Sequence, residues 1–226
     1  MKVRLHSVVK MLVVAVSMAA AAGASAQAAG QWTAKVGINK ITPKVESGDI
    51  SAPALPGSKG DVGPDTKPIL VFDYGITDNI SAELDLGLPY KHKIYGAGAI
   101  QGTGELATVE ALPPTAFIQY RFFEPTSMLR PYVGVGATYA MFRKATGSGK
   151  LTALTNPGGP PTTMKLDNKM AAAVQLGLVF NVNEQWFVDA AFVKTFLKTT
   201  AHFSTGQYQD MTLNPQAVSL GVGYKF

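Results

Sequence analysis

Lys35, Asp73, Glu83, Asp85, Arg121, Asp189 and Lys225 each stand at an alternate position inside an otherwise apolar stretch. Four acids face three bases in this set, and charges taken out of water must be paired. The near-balance predicts ion pairing inside a closed structure. Catalytic chemistry finds less support. Cys is absent, which excludes disulfides, thiolate zinc ligation and a cysteine nucleophile. His6 lies at the extreme N-terminus; His92, between Lys91 and Lys93, and His202 fall in expected loops. Neither of these two has a nucleophile beside it, and no His-x3-His spacing occurs. His92 reads as a solvated loop residue. Gly96-Ala97-Gly98 and Gly134-Val135-Gly136 lack the following helix that a phosphate cradle needs. The expectation is a protein with no catalytic residues, no metal and no cofactor.

The chain has 226 residues, 46% apolar and only 15% charged, against about 25% charged in soluble domains. Its formal charge is +5, but Lys2, Arg4 and Lys10 lie in an acid-free leader, so 17 of the 20 basic residues remain against 15 acids. A nucleic-acid partner is not indicated. The leader itself has a basic start, an apolar run from Met11 to Ala22 and the small residues Ala24-Ser25-Ala26. This is the pattern of a cleaved signal peptide over residues 1–26, with cleavage after Ala26. Residues 27–226 then form one domain. No later stretch is apolar enough for a helical span, so the exported chain is either soluble or a β-barrel.

Period-two alternation decides between these. Eight segments show it: 31–40, 68–76, 80–88, 115–122, 132–141, 172–182, 186–199 and 217–226. In the clearest, Ile80, Ala82, Leu84, Leu86 and Leu88 face one way and Ser81, Glu83, Asp85 and Gly87 the other. The phase of 186–199 is ambiguous, because Lys194 falls in register with Trp186, Val188, Ala190 and Phe192, and a bulge is expected there. Short turns at 77–79, 124–129 and 183–185 alternate with long Gly-, Pro- and Thr-rich segments at 41–67, 89–110, 143–169 and 200–216. Such asymmetry predicts an all-β fold: an eight-stranded antiparallel transmembrane barrel with short periplasmic turns and long extracellular loops. Tyr74, Tyr120, Phe122, Tyr132, Trp186, Tyr224 and Phe226 lie near the short-turn ends and are expected to form an interfacial girdle.

The stretch Leu112-Pro113-Pro114-Thr115 running into Gln119-Tyr120-Arg121-Phe122 resembles the OmpW family of outer-membrane barrels, which includes the AlkL alkane-uptake proteins. So do Arg130-Pro131-Tyr132-Val133-Gly134-Val135-Gly136-Ala137-Thr138-Tyr139 and the ending Gly221-Val222-Gly223-Tyr224-Lys225-Phe226. The resemblance implies passive passage of small apolar molecules into the bacterial outer membrane, with release sideways through the barrel wall. It also implies that Tyr224 and Phe226 form the signal read by the barrel-assembly machinery. Outer-membrane lipid and lipopolysaccharide are the other expected partners.

An eight-stranded barrel is too narrow for a general porin, which needs about 16 strands. Asp73, Glu83, Asp85, Arg121, Asp189 and Lys225 are expected to form an ion-paired plug, Arg121 bridging to Glu83 or Asp73; otherwise they are simply the barrel's polar core. Pro113 and Pro114 have no N–H to donate, so they mark either a lateral opening or the plain end of a strand. Phe117, Leu151 and Leu154 are the expected apolar lining. A structural or interaction barrel, whose outer loops bind host, phage or bacteriocin, is the competing function.

Overall fold

The computed structural model describes residues 28–226; the leader, with Ala24 and Ala26, lies outside the described residues. The wall is built from β1 (Trp32–Thr42), β4 (Asp65–Gly75), β5 (Ile80–Gly87), β8 (Thr115–Arg121), β9 (Leu129–Gly147), β11 (Lys169–Asn181), β12 (Trp186–Phe196) and β15 (Gln216–Lys225). They hydrogen-bond in the order β11-β12-β15-β1-β4-β5-β8-β9, and β9 pairs back to β11. Every pairing is antiparallel, and the return of β9 to β11 gives each wall strand a neighbour on both sides. Alternation sets the faces. Val135 and Val36 point outward at 65% and 55% exposure, whereas Phe117, between outward Ala116 and Ile118, is 2% exposed. An unbroken apolar outer band of this kind is a lipid-facing surface.

The segments expected as loops are largely ordered. They carry β2 (Glu46–Ser47), β3 (Ser58–Val62), β6 (Tyr90–Gly98), β7 (Glu105–Leu112), β10 (Met164–Leu166), β13 (Lys198–Phe203), β14 (Tyr208–Thr212) and a short helix α1 (Gly149–Thr155). β3, β6, β7 and the upper half of β9 make one extracellular sheet; β10, β13, β14 and β2 make another. In these strands the polarity inverts: Tyr90, His92 and Ile94 are buried while Lys91, Lys93 and Tyr95 face out. The two sheets enclose an apolar core that includes Val62, Ile94, Leu106, Leu166, Phe203 and Met211. Leu151 belongs to that core and Leu154 packs against it.

Two local expectations fail. The β12 ladder runs without a shift from Phe187↔Gly223 to Lys194↔Gln216, so there is no bulge. Lys194 stays on the outer face beside Phe196, its Nζ 5.5 Å from the ring centre, as a long cationic side chain at a lipid boundary can. Tyr132 is also absent from the girdle: with Val133 and Val135 outward it must point into the lumen, and it is fully buried. The remaining aromatics do cluster, as in Trp186–Tyr224 at 5.0 Å and Trp32–Tyr74 at 4.9 Å. At the periplasmic end the buried Arg130 reaches the Asp78 carbonyl at 2.6 Å and the Phe123 carbonyl at 3.3 Å, joining the turn after β4 to the one after β8.

Large rings fit the narrow lumen because glycines sit opposite them. Tyr132 pairs across the ladder with Gly177, Phe187 with Gly223 and Phe117 with Gly136, and a Cβ at any of these glycines would collide with the facing ring. Gly177→Val should therefore displace Tyr132 and cost about 1–3 kcal/mol, the usual range for overpacking. Urea unfolding from lipid vesicles measures this, and an unchanged midpoint would show that the ring has room to move.

Candidate functional site

The lower lumen is sealed by one connected network. Lys35 on β1 bonds Asp189 of β12 at 2.7 Å and Glu83 of β5 at 3.3 Å. Arg121 of β8 bonds Asp73 of β4 at 2.6 Å, Gln119 at 2.8 Å and Ser81 at 3.0 Å. Gln175 ties the two halves, donating to Glu83 at 2.7 Å and accepting from Gln119 at 2.8 Å. The Tyr132 hydroxyl donates to Asp189 at 3.0 Å and the Thr33 hydroxyl to Asp73 at 3.0 Å. All of these side chains are buried. Phe117, Phe187 and Val179 are buried beside them, and a layer so closed to solvent leaves no straight aqueous path among the described residues.

Above the network lies a cavity of about 100 Å³. Its lower rim is polar, with Asp85, Thr115, Thr138, Asn39 and Ser219; its walls are apolar, with Ile41, Ile69, Val193, Leu197, Val109 and Met211 among them. The rim hydroxyls of Thr115 and Thr138 lie 2.9 Å apart, and Asn39 donates to the Tyr90 hydroxyl at 2.9 Å. His92 also lines the cavity and is buried, not solvated; its Nδ1 donates to the Gly63 carbonyl at 2.8 Å. Burial holds this imidazole below its usual pKa of 6.5, against the opposing pull of the Gly63 carbonyl and Asp65.

Beside the cavity the wall ladder lapses. β5 pairs β8 from Ile80↔Tyr120 to Asp85↔Thr115 and no further, and pairing resumes only at Tyr90↔Ala111 between β6 and β7. On the other side of β8 the wall stays closed, because the Tyr139 N–H donates to the Pro114 carbonyl at 3.0 Å. Successive residues of a strand address opposite neighbours, so Pro114 faces β9 and Pro113 faces β5. The Pro113 carbonyl is taken instead by the Thr115 hydroxyl at 3.2 Å. Leu86–Pro89 and Pro113 thus lie opposite each other without backbone bonds, and Leu86, Gly87 and Pro113 line the cavity.

Of the residues singled out from sequence, Glu83 and Asp189 meet on Lys35 and Asp73 meets Arg121, and Gln119 and Gln175 join the two pairs into one network. Arg121 takes Asp73, two strands away, while Glu83 goes to Lys35. Asp85 sits one layer higher on the cavity rim, and its Oδ1 is buried without a hydrogen-bond partner. Lys225 is buried nearer the periplasmic mouth and makes no ion pair among the described residues. Phe117 lies level with Glu83, below the cavity, and Leu151 and Leu154 pack in the extracellular core, so none of the three lines it. Gln119, Gln175, Tyr90 and His92 were missed; the first two were legible as inward positions of their strands.

The model of the OmpW family matches residues 28–226. Over 219 residues the chain is 31% identical to outer membrane protein W of Escherichia coli, covering 94% of this chain and 96% of the relative. It is 26% identical over 202 residues to outer membrane protein AlkL of Ectopseudomonas oleovorans, covering 87% and 83%. The crystal structure of the outer membrane protein OprG from Pseudomonas aeruginosa superposes with a TM-score of 0.80 at 27% identity, covering 89% of this chain and 99% of OprG.

Lys35→Met should leave Glu83 and Asp189 facing each other without a cation, costing about 3–5 kcal/mol as broken buried pairs do. Adding Glu83→Gln and Asp189→Asn should recover most of that in urea unfolding; a single variant near wild-type stability would mean that water reaches the pair. For His92 the neutral form is the folded form, so its contribution is present above pH of about 6.5 and is lost as pH falls through the depressed folded value. The Gly63 amide, which donates to the Lys93 carbonyl at 2.8 Å, should lose hydrogen-exchange protection at pH 5 relative to pH 7. His92→Gln should flatten the difference.

Proposed function

The chain belongs to the OmpW family and lies in the bacterial outer membrane, and on that footing we propose that it is a passive, non-catalytic conduit for small hydrophobic molecules. Solute enters the apolar cavity from the extracellular cap and leaves sideways into the bilayer between β5 and β8. One observation carries the reading: an apolar cavity, floored by paired charges, borders the stretch of wall where Pro113 leaves the β5 ladder unmade. A lapse there is tolerable because it lies at the upper edge of the lipid-facing band and beside a cavity. Outward Lys40, Lys91 and Lys198 stand just above that band, where they would meet lipid or lipopolysaccharide phosphates. Tyr224 and Phe226 on the closing strand are the contacts proposed for the barrel-assembly machinery.

The test is uptake of a labelled small alkane by cells making this barrel, against cells making equal amounts of an unrelated folded eight-stranded barrel. Faster uptake with this chain alone is expected. Pro113→Val restores a donor towards β5 and should slow uptake about threefold, the worth of one hydrogen bond of roughly 0.7 kcal/mol. Pro114→Val, whose donor would face β9, should have the smaller effect. Equal uptake in the two strains would overturn the conduit and favour a cap that binds a partner at the cell surface.

A further inference from the structure

We infer that the rim below the cavity reads one end of the solute: it selects an apolar chain ending in a hydrogen-bond donor, in its simplest form a primary alcohol, and turns away a carboxylate. This deepens the conduit reading and rests on it.

The inference comes from counting protons on the rim. The register places Asp85, Thr115 and Thr138 in one row across β5, β8 and β9, and all three line the cavity. The Thr115 hydroxyl donates to the Pro113 carbonyl, so the Thr138 hydroxyl must be the donor in their 2.9 Å contact. Both protons of the row are spent, and neither reaches Asp85. Lys35, the nearest cation in the layer below, is held by Glu83 and Asp189. Asp85 Oδ1 is therefore a buried acceptor without a donor, an arrangement that forfeits the hydration of that oxygen for nothing in return. Asp85 is among the residues that line the cavity, so its carboxyl group is within reach of a solute seated there.

An alkane fills the walls but leaves Asp85 unserved. An alcohol supplies the missing O–H, and its oxygen can accept from the Tyr90 hydroxyl, which already accepts from Asn39. A carboxylate brings no donor for that oxygen, and the cavity that would have to hold its charge is lined by no Lys or Arg among the described residues.

Uptake of labelled 1-octanol, octane and octanoate is compared in cells making wild type, Asp85→Leu, Asp85→Asn or the unrelated barrel. Folding of each variant is verified by its mobility shift on heating. Wild type should favour octanol over octane, each corrected for the unrelated barrel, and leave octanoate at the control level. Asp85→Leu should lower the octanol-to-octane ratio three- to tenfold, about one hydrogen bond. Asp85→Asn, which keeps an acceptor and adds a donor, should hold that ratio and raise octanoate above the control. An unchanged ratio in Asp85→Leu, or unchanged octanoate in Asp85→Asn, overturns the inference while the conduit stands. Wild type matching the unrelated barrel for all three solutes overturns both.

Discussion

A strand in hydrocarbon has no water to satisfy its backbone, so both of its ladder edges must be taken by neighbours. That constraint closes β11 back onto β9 and, with eight strands, leaves a lumen only wide enough for side chains. The interior is then a packing problem of its own. It is solved by setting Tyr132, Phe187 and Phe117 over Gly177, Gly223 and Gly136, which leaves an inner ring of charge and amide to be paired without help from solvent. Pro113 is where the same constraint is relaxed, on the β5 side alone.

The charged layer is better understood as a seal than as a source of stability. Desolvating an ion pair costs about as much as the pair returns, so Lys35 between two carboxylates adds little net energy over a well-packed apolar layer. It does make every partner indispensable, since a buried charge left alone is far costlier than a pair. Gln119 and Gln175 extend this logic from Arg121 across to Glu83 and merge two ion-paired groups into one floor. Water gains no continuous route through a layer in which each polar atom is already committed.

The barrel was legible because lipid outside and charge inside give each strand two unlike faces, and a period of two records them directly. Counting residues from the short turns brings Asp73, Glu83, Arg121, Asp189 and Lys225 to similar heights; the first four do share one network, whereas Lys225 lies nearer the periplasmic mouth. What stayed hidden lies above the membrane. In Tyr90–Gly98 the alternation is as regular as in Ile80–Gly87, but its apolar face points in and its lysines out. A reading tuned to apolar-outward strands passes over it as loop, and with it over the burial of His92. Leu151 and Leu154 were misplaced for the same reason: an apolar residue in a long loop can line the lumen or build a core outside it, and spacing along the chain does not distinguish the two. Tyr132 had a phase that its neighbours Val133 and Val135 already determined; aromatic character near a turn was the weaker guide.

The inversion of polarity also explains where the cavity must lie. Strands that face lipid below and water above have to exchange their inner and outer preferences at one height, and no single side-chain pattern serves both. Pro43, Pro113 and Pro215 all line the cavity at that height, where β1, β8 and β15 hand over to the cap segments. Residues without an N–H suit a level at which one set of ladders ends and another begins. The pocket is thus the seam between an inside-out barrel and an ordinary two-sheet core, apolar on the cap side and polar on the barrel side. A molecule with an apolar body and one hydrogen-bonding end is the complement of such a seam, and the unpaired stretch between β5 and β8 opens at the same level, flanked outside by Leu86 and Leu88.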